Sequence, residues 1–112
     1  MTNTSAPTWA VKRTDETRNI KELLGKRFQQ VDAYRYNSAS IRVRVIDSQF
    51  EGLPPEKRDA MVEPYLEMLP ERTQADIINL FTFAPSELQQ TPNTLREYLL
   101  NSEFDEPSPS ML

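Results

Sequence analysis

The sequence predicts an α+β domain, with helices laid on a three-stranded sheet in the order α-β-β-α-β-α. Three observations predict it. Residues 31–36 and 41–46 both alternate with period two and are rich in β-branched or aromatic types. Ile77-Ile78-Asn79-Leu80-Phe81-Thr82-Phe83 is almost continuously apolar. Around these runs, apolar residues recur at the spacing of a helix face.

The first helix is expected over about 16–28. Thr14 and Asp15 are N-cap types, Ile20, Leu23, Leu24 and Phe28 supply the apolar face, and Gly25 is its weak point. The two alternating runs form a hairpin across Asn37-Ser38-Ala39-Ser40. A three-residue turn sets Val31, Ala33 and Arg35 beside Val45, Val43 and Ile41, with Asp32 opposite Arg44 and Tyr34 opposite Arg42. A four-residue turn sets Arg35 against Arg42, and like charges directly opposite are disfavoured. The first register is therefore preferred.

Asp47 to Pro55 reads as a loop in which Gly52 permits an unusual backbone angle and Pro55 suits the first helical position. Met61, Val62, Tyr65, Leu66 and Leu69 then define a second helix over about 56–69. Pro64 lies inside it and is expected to kink or split it. The 77–83 strand, being nearly continuously apolar, is expected at the centre of the sheet with both faces covered. Ser86-Glu87-Leu88-Gln89 has capping-box spacing, Thr91-Pro92 is a second start signal, and Leu88, Leu95, Tyr98, Leu99 and Leu100 supply the face of a last helical region. Residues 1–14 read as a flexible arm that docks through Trp9, 15–100 as the domain, and 101–112 as a disordered acidic Pro/Ser tail.

Composition excludes several functions. The 112 residues contain no Cys and no His, which removes thiol chemistry, disulfides, cysteine-held metals and the commonest general base near neutral pH. No apolar run approaches the roughly 20 residues of a membrane helix, and no signal peptide is recognisable. A reducing cytoplasm is the expected setting. The formal net charge of −4 disfavours nucleic acid, whose phosphates must be met by Lys and Arg.

Four groups of residues can be weighed for chemistry. Tyr34, Arg35, Arg42 and Arg44, with Tyr36, could form a stacking and phosphate surface. A solvated sheet face balanced by Asp32 explains them more simply. Asp47, Glu51, Glu56 and Asp59 lack the spacing of a calcium loop, and acids at a helix start favour its dipole. Met61, Tyr65, Met68 and Leu69 could form an adaptable partner surface but are more often core. Paired carboxylates without a nucleophile, an oxyanion loop or a phosphate loop do not make an active site, so no enzyme and no cofactor are expected.

Parts of the chain also resemble the BolA-like family, which has a class II KH-like fold. The stretch from Ile41 through Asp47-Ser48-Gln49-Phe50-Glu51-Gly52 is similar to the family's second strand and its Phe-x-Gly loop. Lys57-Arg58-Asp59-Ala60-Met61-Val62 falls where the family has an Arg-His-Arg-x-Val helix. Ile78 to Glu87 is similar to its last strand and the start of its last helix. The chain departs from the family at the two histidine positions, which hold Asp59 and Asp76. The second is associated in the family with sharing a 2Fe–2S cluster with a monothiol glutaredoxin, and aspartate suits a soft iron–sulfur site poorly. The resemblance implies a non-enzymatic adaptor that binds a protein, such as a monothiol glutaredoxin, in iron–sulfur or redox homeostasis. It implies contact through the 50–55 loop (Phe50, Gly52), the start of helix two (Arg58, Asp59, Met61) and Asp76. The alternative is a KH-like nucleic-acid-binding or regulatory module using Tyr34, Arg35, Arg42 and Arg44.

Overall fold

A computed structural model describes residues 12–89 and 101–104. The expected α+β architecture is present. Helix α1 (Asp15–Gly25) is followed by strands β1 (Gln30–Asn37) and β2 (Ser40–Ile46) and a 3-10 turn at Ser48–Phe50. Helices α2 (Pro55–Leu66) and α3 (Glu71–Asp76) lead into strand β3 (Ile77–Phe83) and the short helix α4 (Pro85–Gln89). The sheet order is β1-β2-β3, with β1 antiparallel and β3 parallel to β2. No helix among the described residues is long and apolar enough to cross a membrane.

Helix α1 starts where its cap does. The Thr14 hydroxyl accepts from the Thr17 amide, and the Thr17 hydroxyl accepts from the Thr14 amide at 2.8 Å. Two donors that the first turn leaves orphaned are thereby satisfied. The helix stops at Gly25, and Phe28 reaches the core from the turn that follows. The hairpin register is the preferred one: Val31 pairs with Val45, Asp32 with Arg44, Ala33 with Val43, Tyr34 with Arg42 and Arg35 with Ile41. The turn differs. Tyr36 bulges, Asn37 pairs with Ser40, and Ser38-Ala39 close a two-residue turn. The Asn37 side chain accepts from the Ala39 amide at 2.9 Å, which gives that turn a local partner.

Two expectations about the later elements are corrected, and one element is new. Pro64 leaves α2 unbroken to Leu66. It sits in the last turn, both it and Ala60 are exposed, and water can reach the carbonyl that Pro64 leaves without a donor. The link after α2 contains a further helix, α3, with Pro70 at its N-cap. Strand β3 occupies its expected span but lies at the edge of the described sheet, not at its centre. The irregularity between Ile41 and Arg42 in the β2–β3 pairing leaves Ile78 half-exposed.

The core lies between the helices and one face of the sheet. Ile20, Leu24, Phe28, Val31, Ala33, Ile41, Val43, Val45, Phe50, Val62, Leu69 and Ala84 form it. Met61, Tyr65 and Leu66 pack on its margin, while Met68 is exposed. The opposite face carries Asp32, Tyr34, Arg42, Arg44 and Phe81, and residues 101–104 cover part of it. They are helical, and Phe104 is buried against Tyr34 and Phe81. Residues 101–104 of the expected tail therefore pack on the domain. An apolar ring in a polar stretch gains more from burial than from staying in water. At the other end, the Lys12 carbonyl accepts from the Arg35 amide at 2.6 Å. Trp9, Leu95, Tyr98, Leu99, Leu100 and 105–112 lie outside the described residues.

Candidate functional site

Three arginines organise the molecule, and all are buried. On the core face, Arg35 stands at the end of β1. Its Nη2 donates to Glu16 of α1 at 3.1 Å and to Asp76 at the end of α3 at 3.0 Å. It stands opposite Ile41 in the hairpin and joins α1 to α3 through these two carboxylates. The Glu16 carboxyl is held below the usual carboxylate range, first by its own backbone amide at the helix start and then by Arg35.

On the outer face, Arg44 donates to Asp32 at 2.8 Å, as the strand register requires, and to the carbonyl and side-chain oxygens of Asn101 at 3.3 and 3.2 Å. Its guanidinium lies 5.1 Å from the Phe104 ring centroid. Next to it Arg42 donates to the Tyr34 hydroxyl at 3.2 Å and stacks 3.9 Å from the ring of the exposed Tyr36. Burial pushes the Tyr34 hydroxyl up from its ordinary value.

The third arginine, Arg58, ties the loop to the sheet. Its Nε donates to the Leu53 carbonyl at 2.8 Å and Nη1 to the Thr82 carbonyl at 3.1 Å. Both terminal nitrogens meet Glu87 of α4, at 2.8 and 3.0 Å. This two-point pairing is the strong form of the interaction. It holds the Glu87 carboxyl below its ordinary range and raises the guanidinium's. Glu87 also accepts from the Ala84 amide at 2.8 Å, so one carboxylate serves both the arginine and the helix start.

The loop before α2 is anchored on every side. Asp47, itself buried, accepts from the Gln29 and Gln49 amides at 2.9 and 2.8 Å. Phe50 inserts into the core beside Phe28, at 5.8 Å between ring centroids. Ser86 donates to Glu51, and Arg58 holds Leu53. Gly52 adopts φ +74°, the left-handed angle the sequence predicts for it. The outcome is a fixed loop whose outward side presents Glu51, Gly52, Pro54, Pro55, Glu56 and Lys57 to solvent.

This geometry redistributes the residues expected at a partner surface. Phe50 is fully buried and Arg58 nearly so, and both act within the domain. Gly52 is exposed, and Asp59 and Met61 are partly exposed, all in the loop and the first half of α2. Burial, and then the nearby Glu56, push the Asp59 carboxyl up. Asp76 belongs elsewhere: it is paired with Arg35, whereas Arg58 binds at Thr82, near the other end of β3. From Ile77, next to Asp76, to Thr82 the strand advances about 17 Å, at about 3.3 Å per residue. Asp76 therefore does not join the loop in one small contact.

The four residues expected at a nucleic-acid surface are adjacent but occupied. Arg35 and Arg44 are buried and ion-paired with partly exposed carboxylates, Tyr34 is beneath Phe104, and Arg42 alone remains partly exposed among them. The solvated face that the sequence suggests is therefore largely covered. Against protein-family models, curated proteins and solved structures, the chain matches none.

Asp47, Glu51, Glu56 and Asp59 likewise do not assemble. No group of three or more Asp, Glu, His or Cys that could hold a metal occurs among the described residues. A recess of about 190 Å³ is lined by Arg13, Thr17, Arg18, Lys21, Asp32 and Ala33. It is smaller than the roughly 300 Å³ at which small-molecule sites begin. Sequence reasoning missed Phe104, Asn101 and Arg13. The available signal was a lone Phe between acids in an otherwise polar tail.

Proposed function

We propose that the chain is a non-enzymatic adaptor domain of the BolA-like kind that binds a protein partner in a reducing cytoplasm. The observation that carries this reading is the anchored loop before α2. Arg58 ties it to β3 and α4, Phe50 pins it to the core, and Gly52 supplies its turn. A loop already held in one shape loses little freedom on binding, so its contacts convert to affinity efficiently. The contact surface under this proposal is the outward side of 51–57 with Asp59 and Met61. Phe50 and Arg58 support it from behind.

The relation to iron–sulfur or redox homeostasis rests on the sequence resemblance. With aspartate at both family histidine positions, the proposed contact is with the partner protein and not with a cluster. Titrating the labelled chain with a monothiol glutaredoxin, with and without its cluster, tests this by amide resonances. Shifts confined to Glu51, Gly52, Lys57, Asp59 and Met61 are expected in both forms. If none of these resonances moves at saturating partner, the proposal fails.

A further inference from the structure

The outer face of the sheet has the properties of a peptide seat. Its occupant in this structure is a single helical turn, 101–104, from a remote part of the same chain. The turn is gripped as a bound peptide would be. The Phe104 ring, 1% exposed, meets Tyr34 and Phe81 edge-to-face at 5.0 and 5.8 Å. Arg13 donates to the Phe104 carbonyl at 2.9 Å, and Arg44 donates to Asn101. The groups that form the seat are held by other parts of the fold: Tyr34 and Arg44 by the hairpin ladder, Phe81 by its pairing with β2.

The charges of seat and occupant are complementary. Lys12, Arg13, Arg42 and Arg44 surround the aromatic pair, with Lys12 Nζ 5.9 Å from the Tyr34 ring centroid. Asp32 is the counter-charge to Arg44. The occupant contains Glu103 and Phe104, and in the sequence Asp105 and Glu106 follow, so the phenylalanine stands between carboxylates along the chain. An aromatic anchor in a closed pocket with arginine at its side is the usual form of a small, high-energy contact.

We propose that this face binds short acidic peptide segments centred on phenylalanine, and that 101–104 occupies it in cis until a partner's segment of the same chemistry replaces it. This does not depend on the loop before α2. A tethered occupant competes at an effective concentration of about millimolar. A free peptide should therefore bind the native chain weakly and a chain with an emptied seat well.

The test uses the full chain and a fluorescein-labelled peptide, Leu-Asn-Ser-Glu-Phe-Asp-Glu-Pro. Binding to the Phe104→Ala chain is expected to be at least about tenfold tighter than to the native chain. It should weaken with salt and vanish when the peptide's Phe is replaced by Ala. Amide exchange in the native chain supplies the second measurement: Phe104 should exchange faster than Tyr34 and Val43. Equal binding to both chains, a Phe104→Ala chain that no longer folds, or equal protection of Phe104 and Val43 overturns the proposal. Native chain that elutes as a dimer with the turn exchanged between copies also overturns it, because the occupant is then a second copy.

Discussion

Arg44 is held by an acid, an amide and a ring, and its side chain is 3% exposed. Removing one partner of such a pair leaves a charge buried without compensation, which generally costs about 3–5 kcal/mol. Replacing both partners by apolar groups avoids that cost. The Asp32→Leu chain, which leaves Arg44 buried without its carboxylate, is therefore expected to lose about 3–5 kcal/mol in urea unfolding, and the Asp32→Leu/Arg44→Met chain to recover most of it. A double variant as unstable as the single one would mean that Asn101 and Phe104, not Asp32, are what Arg44 chiefly serves. Burial of arginine was not legible in the sequence. Charged residues are almost never fully buried unless paired, and an alternating strand of Arg and Val reads as half solvated. The pairing of Asp32 with Arg44 was legible because opposite charges fix a register that like charges reject.

The elements divide in the same way. Strand β3 was legible because five of its seven residues are β-branched or aromatic, yet hydrophobicity alone does not distinguish an edge strand from a central one. Helix α3, Glu-Arg-Thr-Gln-Ala-Asp, has no apolar period and so gave no signal. In the loop before α2, Gly52 was recognised from residue type, but the inward turn of Phe50 and Arg58 depends on contacts with Phe28, β3 and α4 that only folding brings together. Gly52 gives the element-scale prediction. Nothing lies within 4 Å of where a Cβ would stand, so the consequence of Gly52→Ala comes from its φ of +74° alone. The left-handed region costs an L-residue roughly 1–2 kcal/mol. The Gly52→Ala chain should lose about that much on chemical denaturation while its core resonances stay in place. A loss near zero would show that the loop can adopt another backbone path.

Across the whole molecule, the carboxylates set the response to acid. Glu16 and Glu87 titrate below their ordinary value of 4.5 when folded. The stability they contribute is fully present above that value and is lost as pH falls through their folded pKa values. Asp59, pushed up from 3.8, works in the opposite direction: its carboxylate disfavours folding, and acid relieves it. With two groups against one, thermal stability should hold from neutral pH down to about 5 and then decline. Circular dichroism melts across this range check it, and Glu87→Gln should flatten the decline. An unchanged profile in that variant would remove Glu87 from the account.

The Arg13 guanidinium resting on the Phe104 carbonyl has a topological consequence. Two points 91 positions apart along the chain lie within one side chain's reach. A few glycines could splice residue 104 to residue 13, with new ends opened at Ser38-Ala39 in the hairpin turn. In such a circular permutant, β1 and β2 would become the terminal strands and the remote aromatic clasp a local one.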